Sequence, residues 1–418
     1  MLKDILGTLA TRYLIALLNL ALIFINARVL GIEGVGLVGL IWASVSINVT
    51  VNSLFSGSSL VYFLNRYPLR LLYPVAVGWT FVGSALGCGA LGLFGLLPEG
   101  YAFDIYGLTV LYSLGVAHSR LLLGKDHIRG FNLTNVLQGG LLFFVLLYFY
   151  YVAQRREVSA YIEGLYLTNA LAFVFSLCCL LPYLRKPEKP VGARKRLLPV
   201  LKEMLVYGLW GSADNIAETC TTRLNYFLLE RFAGIGSVGL LDVGVKISES
   251  VWNISRSVAY IEYNRIAKTQ DEDKQKRITL QLFKLTFMAL SFVMAGILLI
   301  PEWVYTDYLF SQDFKGIRGL ILALSAGIVA LGCNTILSHY FIGSGRIRYS
   351  TTASCIGLLS LLIAGFLLIP AYRETGAALS ACMAFGSMLI FSLTVFIRLT
   401  KSRFRDFLLS REDFRLSS

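Results

Sequence analysis

The amino-acid sequence predicts an all-α integral membrane protein of about twelve transmembrane helices, in two pseudo-symmetric six-helix lobes around a central cavity. Composition, the spacing of apolar segments and an internal repeat lead to this prediction. Of the 418 residues, 56% are hydrophobic and 15% are charged, whereas soluble domains have about 45–50% and about 25%. So few charges cannot cover a water-exposed surface, and composition therefore excludes an ordinary soluble protein.

Apolar segments long enough to cross a bilayer recur along the whole chain. A transmembrane helix needs about 20 mostly apolar residues, and its backbone must satisfy its own hydrogen bonds. The second and eighth segments are rich in Ser, Asn and Thr, and we infer them partly from the repeat described below. The twelve predicted spans are 8–30, 35–64, 70–97, 104–123, 130–152, 159–184, 203–229, 236–261, 278–300, 317–342, 349–369 and 375–397.

Basic residues concentrate on one side of the predicted membrane. If the N-terminus is inside, 27 of the 38 Lys and Arg residues lie on the inner side and seven on the outer side. This asymmetry follows the positive-inside rule and predicts that both termini are cytoplasmic. The net charge of +13 is therefore expected to face anionic lipid headgroups, and it requires no nucleic-acid partner.

The longest polar interruption divides the chain into two halves. We predict an N-lobe over 1–184, a basic cytoplasmic linker over 185–202, a C-lobe over 203–400 and a cytoplasmic tail over 401–418. The tail mixes Phe and Leu with charges, which indicates either an amphipathic helix on the inner membrane surface or a solvated tail. The seven cysteines and three histidines lack metal-ligand spacing, so no metal or other cofactor is expected.

Two phrases recur at equivalent points of the two halves. RVLGIEGVGLVG (28–39) matches RFAGIGSVGLLD (231–242) at an offset of 203 residues, between the first two spans of each half. LLLGKDHIRGFNLT (121–134) matches YFIGSGRIRYSTTA (340–353) at an offset of 219, between the fourth and fifth spans. Two such matches indicate internal duplication, and six spans per half keep both copies in the same orientation.

The glycines of the first phrase predict a tight turn between helices. No strand precedes either copy, so the context of a phosphate-binding loop is missing. Glycine instead permits a sharp turn and close approach of two helices. We therefore predict a pair of gate hairpins at the outer ends of the first and seventh spans, formed by Arg28, Gly31, Gly34, Arg231 and Gly234.

Charged and amide side chains fall on the first two helices of each half. In the eighth span they are spaced by four, three, four and three residues, which places them on one helix face. Each charge at the bilayer centre costs at least about 2.5–3.5 kcal/mol, so several on neighbouring helices predict a water-filled cavity between the halves. The predicted cavity residues are Arg12, Asn19, Asn48, Asn52, Asp214, Glu218, Arg223, Asp242, Lys246, Glu249, Asn253 and Arg256.

These charges could alternatively form internal ion pairs, Asp242 with Lys246 and Glu249 with Arg256. In a cavity, the cations would suit a phosphate or another anion, and the amides and hydroxyls would suit sugars. The acids could orient the cations or bind a proton or Na⁺. Transport would then be coupled to an H⁺ or Na⁺ gradient or to the membrane potential.

The phrase LGIEGVG at 30–36, the chain length and the two six-span halves resemble the multidrug/oligosaccharidyl-lipid/polysaccharide (MOP) flippase superfamily, specifically its Wzx-like O-antigen and polysaccharide flippases. Ile32 stands where Pro is common in that loop. The resemblance implies translocation of an undecaprenyl-diphosphate-linked oligosaccharide across the bacterial inner membrane by alternating access. Membrane lipids and other polysaccharide assembly proteins are the implied partners, and Arg223, Lys246 and Arg256 the implied cavity cations.

Two other classes of protein fit the sequence less well. A drug or cation antiporter of the same superfamily would be expected to carry an acid inside the N-lobe, where Asp4 and Glu163 lie only near span ends. A membrane polysaccharide polymerase or glycosyltransferase would need catalytic carboxylates in a sizeable outer loop. The longest outer loop, 301–316, is short and its acids are expected to be solvated, so the sequence predicts a transporter and not an enzyme.

Overall fold

The computed structural model describes residues 2–64, 66–185, 197–269 and 271–407, and no strand occurs within these ranges. The predicted all-α fold is confirmed. The helices are α1 (Leu2–Ser56), α2 (Ser58–Leu64), α3 (Leu69–Leu93), α4 (Ala102–Gly124), α5 (Ile128–Gly139), α6 (Leu141–Leu147), α7 (Val158–Arg185), α8 (Leu197–Ala233), α9 (Ile235–Ala267), α10 (Glu272–Leu299), α11 (Ile317–Gly343) and α12 (Ile347–Thr400).

Two of the helices each contain two predicted spans. In the described part of the chain, seven helices are long and apolar enough to cross a membrane. Among them, α1 has 55 residues and α12 has 54, which corresponds to about 80 Å each, far more than the ~30 Å hydrocarbon core. Each is broken once, α1 at Gly31 and α12 at Arg373. These two breaks divide the seven helices into nine segments, of which α5, α6 and the turn Tyr148–Val152 form one. Helices α4, α8 and α9 cover the three remaining predicted spans, and the twelve spans are therefore confirmed.

The chain folds as two compact units, Met1–Thr219 (unit 1) and Cys220–Ser418 (unit 2). The division falls inside α8. In unit 1, Val200 and Met204 of α8 belong to the same apolar cluster as Leu60 of α2 and Leu121 of α4, so this part of α8 is held by the helices that precede it. Burial of those side chains supplies the stabilisation.

Much of the predicted linker and tail, residues 186–196 and 408–418, lies outside the described residues. The start of the tail is described and contacts α10. Asp406 forms an ion pair of 3.2 Å with Lys276, and the Phe407 ring packs edge-on against Phe283.

The backbone repeats the same turn in both units. In the turn between α4 and α5, Lys125, Asp126 and His127 donate backbone hydrogen bonds to the carbonyls of Leu121, Leu123 and Leu122. In the turn between α11 and α12, Ser344, Gly345 and Arg346 donate to Tyr340, Ile342 and Phe341. Each donor and each acceptor has its counterpart 219 residues later, the offset of the second repeated phrase.

Left-handed backbone positions follow the same offset. Asp126 has φ 56° and Gly345 has φ 75°, while Gln154 has φ 54° and Arg373 has φ 48°. Both pairs are separated by 219 residues. Because non-glycine residues rarely adopt positive φ, this agreement supports the duplication expected from the two sequence phrases.

Candidate functional site

Unit 1 contains a polar cavity of about 170 Å³ bounded by α1, α4 and the first part of α8. Its lining combines hydroxyls, one amide, one guanidinium and two apolar side chains, and none of the nine lining residues is a carboxylate. They are Val49, Thr50, Ser53, Ser56, Ser113, Val116, Arg120, Asn215 and Thr219.

Helical spacing places these side chains together. On α1 the lining residues Val49, Ser53 and Ser56 follow at intervals of four and three, and on α8 Asn215 and Thr219 are four apart. Such intervals define one face of a helix. The three helices therefore each turn a polar stripe towards the same space.

Hydrogen bonds fix the hydroxyls of the cavity wall. Thr50 Oγ1 donates to Thr219 Oγ1 at 3.1 Å, joining α1 to α8. Ser53 Oγ donates to the Thr50 carbonyl at 2.6 Å, and Ser56 Oγ donates to the Asn52 carbonyl at 2.7 Å. The hydroxyl oxygens keep acceptor capacity, since each carries two lone pairs.

Arg120 is the cation of this cavity, and it approaches the backbone at Gly57. A Cβ atom added at Gly57 would lie 3.4 Å from Arg120 Nη1, an ordinary van der Waals contact, whereas it would collide with the Ser53 carbonyl oxygen. Arg120 is half-buried near the end of α4. Arg120 is one of the 27 basic residues counted on the inner side from the sequence, although its spacing from Ser113 and Val116, seven and four residues, places all three on one helix face.

Two predicted cavity residues of unit 1 instead fill the space between helices. Asn48 and Asn52 are fully buried. Asn52 Nδ2 donates to Ser84 Oγ of α3 at 2.9 Å and to Ser113 Oγ of α4 at 2.8 Å. Asn48 Nδ2 donates to Cys88 Sγ at 3.2 Å. Neither residue is among those that line the cavity.

The other predicted residues of unit 1 occupy different environments. Arg12 and Asn19 are exposed on the first half of α1. Asp214 is buried and Glu218 is half-buried on α8, in the helical turns that also carry Asn215 and Thr219. At the predicted gate hairpin, Arg28 is exposed, and Gly34 lies in the helical segment after the Gly31 break.

In unit 2 the predicted charges form two ion pairs. Arg223 of α8 lies 3.1 Å from Glu249 of α9, with side chains that are 17% and 21% exposed. Lys246 Nζ lies 2.6 Å from Asp242 Oδ2, one helical turn away on α9. Tyr226 of α8 also donates its hydroxyl to Asp242 Oδ1 at 3.2 Å. These contacts join α8 to α9 through a charged cluster.

Arg256 does not pair with Glu249, which was one of the two ion pairs considered from the sequence. Its guanidinium lies over the Trp252 ring, 3.9 Å from the centroid, a cation–π contact. Trp252 Nε1 in turn donates to Thr335 Oγ1 of α11 at 2.9 Å. Arg256 and Asn253 are both exposed, whereas Arg223 reaches Glu249 across the α8–α9 interface.

The second predicted hairpin is a sharp break between α8 and α9. Gly234 has φ 85° and ψ 172°, and its counterpart Gly31 has φ 68° and ψ −179°. The two glycines are 203 residues apart, the offset of the first repeated phrase. Arg231 is exposed beside this break.

Comparisons with known proteins place the fold. No family profile and no curated protein matches the sequence. An inward-facing multidrug resistance MATE transporter of the MOP superfamily has a TM-score of 0.70 at 15% identity, over 93% of this chain and 94% of the transporter. The lipid II flippase MurJ, inward closed, has a TM-score of 0.72 at 13% identity, over 97% and 89%.

A MOP superfamily transporter from Pyrococcus furiosus has a TM-score of 0.56 at 17% identity, over 95% of this chain and 94% of that chain. All three alignments extend over nearly the whole chain, so the likeness concerns the complete helical architecture and not one motif. At such low identities it is a likeness of fold. The chain therefore has the two-lobed helical fold that MATE transporters of the MOP superfamily share with the lipid II flippase.

Proposed function

We propose that this protein is a flippase that moves an undecaprenyl-diphosphate-linked oligosaccharide across the bacterial inner membrane by alternating access. The observation that carries the proposal is the lining of the unit 1 cavity, whose nine residues include one guanidinium, five hydroxyls and one amide. A guanidinium suits a phosphate oxygen. Hydroxyl and amide groups suit the hydroxyls of a sugar.

The ion pairs of unit 2 disfavour a cationic drug as the substrate. Asp242 and Glu249 are each paired with a basic side chain, so neither contributes an uncompensated negative charge. A cation antiporter needs such a charge to hold its substrate. The fold is shared with a protein named as a lipid II flippase, which supports a lipid-linked substrate for this chain.

The size of the cavity limits what it holds in this conformation. Its volume of about 170 Å³ is too small for an oligosaccharide of several sugar rings. We infer that the cavity binds the head of the substrate and that a wider, open conformation admits the oligosaccharide. Membrane lipids and other polysaccharide assembly proteins are the proposed partners.

Reconstitution of the purified protein tests this proposal. Proteoliposomes would contain an undecaprenyl-diphosphate oligosaccharide with a fluorescent sugar, and translocation would be followed by quenching of the label on one side. We expect wild-type protein to translocate it, and Arg120→Ala to reduce the rate by about 10–100-fold, because a charge-assisted hydrogen bond contributes about 1.5–3 kcal/mol.

Arg129→Ala is the matched control, since Arg129 is an exposed cation at the start of α5, and we expect the wild-type rate. Undiminished translocation by Arg120→Ala would remove the cavity from the substrate path. Uptake of an organic cation without glycan translocation by the wild type would favour the antiporter and reject the flippase.

A further inference from the structure

Glu262 is a carboxylic acid enclosed in the apolar interior of unit 2. It lies near the end of α9 and its exposed fraction is 0%. One turn earlier, Ala259 packs in a cluster with Leu282 and Ile336. One turn later, Ile266 packs with Leu337 and Tyr340. The carboxyl group is therefore held between two apolar clusters formed by α9, α10 and α11.

Within the described residues, neither oxygen of Glu262 has a hydrogen-bond partner. The Thr279 hydroxyl of α10 lies beside the carboxyl group, outside hydrogen-bond geometry. Tyr340 of α11, which packs in the same cluster as Ile266, is a titratable side chain that interacts electrostatically with Glu262. Lys284, the buried cation of α10, is five residues beyond Thr279, more than one helical turn away.

This environment suits a neutral carboxylic acid. An ionised carboxylate loses its hydration on burial and finds no cation here to compensate that loss. A protonated carboxyl group avoids this cost, and a small side-chain rotation lets its O–H donate to Thr279. A metal cation would need about six oxygen ligands, whereas the described surroundings offer only the Thr279 and Tyr340 hydroxyls beside apolar groups.

A polar route from Glu262 towards water would pass Tyr340 and the Arg346–Glu272 ion pair. Tyr340 interacts electrostatically with Glu262 and with the Arg346–Glu272 ion pair, whose Nη2–Oε1 distance is 2.8 Å. The Glu272 side chain is 75% exposed. This path opens where α11 ends and α12 begins, on the side that the positive-inside rule predicts to be cytoplasmic.

We propose that Glu262 is a proton-binding site of this protein, which exchanges its proton with water along Tyr340 and the Arg346–Glu272 pair. The carboxylate takes up one proton to become the neutral acid enclosed in this conformation, and it releases that proton when water reaches it. Its consequence, coupling of transport to a proton gradient, rests on the proposed function.

Infrared spectroscopy of the full-length protein in detergent tests the site directly. At neutral pH we expect the carbonyl-stretch band of a protonated carboxylic acid, lost in Glu262→Gln, whose amide mimics the neutral acid and preserves the fold. Glu230→Gln, which changes an exposed acid of α8, is expected to keep the band. A wild-type spectrum without the band, or a Glu262→Gln spectrum that retains it, would overturn the proposal.

Two further measurements define the ligand and the path. Exchange of choline chloride for NaCl at constant pH is expected to leave the band unchanged, and its loss would identify a sodium site instead. In D₂O, Tyr340→Phe is expected to slow the isotopic shift of the band, whereas Tyr349→Phe is not. An unchanged exchange rate in Tyr340→Phe would reject the path.

A transport assay distinguishes a failure of the proton-binding proposal from a failure of the proposed flippase function. In proteoliposomes, we expect an imposed pH gradient to alter the translocation rate of wild type and of Glu230→Gln, and this response to be lost in Glu262→Gln. A protein that shows the infrared band but translocates no glycan would keep the proton site and lose the flippase assignment. Equal responses in all three proteins would reject coupling through Glu262.

Discussion

At the scale of single residues, Arg223 and Glu249 depend on each other. Their side chains are about one-fifth exposed and 3.1 Å apart, so each compensates a charge that water solvates only partly. Removal of one partner leaves the other charge uncompensated, whereas removal of both leaves no such charge. Comparison of the single and double variants therefore measures the structural role of the pair independently of any role in binding substrate.

We expect Arg223→Ala to lower the free energy of unfolding by about 1–3 kcal/mol, and the double change Arg223→Ala/Glu249→Ala to recover most of that loss. Thermal unfolding in detergent, followed by tryptophan fluorescence, measures both. Arg231→Ala, at an exposed cation of the same helix, should stay within about 0.5 kcal/mol of wild type. If the double variant is as unstable as Arg223→Ala, the uncompensated charge of Glu249 is not the cause of the lost stability.

At the scale of elements, the breaks at Gly31 and Gly234 determine where one span ends and the next begins. Both residues combine positive φ with extended ψ, a region that only glycine adopts readily. Without the first break, α1 would continue as one helix far longer than the bilayer is thick. The repeated glycine is therefore required by backbone conformation.

Gly31→Ala and Gly234→Ala are each expected to lower the free energy of unfolding by about 1–3 kcal/mol. Gly78→Ala is the control, because Gly78 is helical in α3 and an added Cβ would meet nothing within 4 Å. There we expect no loss, or a gain of up to about 1 kcal/mol. Thermal unfolding measures the three variants. Equal losses of stability at Gly31, Gly234 and Gly78 would contradict the claim that positive φ requires glycine at the first two positions.

At the scale of the whole molecule, charge asymmetry and duplication together determine the predicted orientation. Arg155 is one of the few cations on the predicted outer side, and it forms two hydrogen bonds of 2.6 Å to Glu163. Its charge is therefore paired locally. The positive-inside rule counts Lys and Arg residues and not net charge, so Arg155 still counts among the seven outer cations.

Both termini are expected to be cytoplasmic. Green fluorescent protein fused to either end of the full-length chain should fluoresce, and alkaline phosphatase fused there should be inactive, because each reporter functions on one side of the inner membrane only. Phosphatase inserted in the outer loop 301–316 should be active. Phosphatase activity at a terminus would reverse the orientation, and would then place the Glu262 path on the outer side.

The sequence by itself determined the helical fold, the twelve spans, the duplication and the breaks at Gly31 and Gly234. These features depend on apolar run length and on the backbone chemistry of neighbouring residues, which one chain shows directly. The tertiary structure alone decided that Glu249 pairs with Arg223, that Asn52 binds Ser84 and Ser113, that Arg120 enters a cavity, and that Glu262 is enclosed. Helical periodicity assigns a side chain to a face, but the partner on that face comes from a helix far away in sequence.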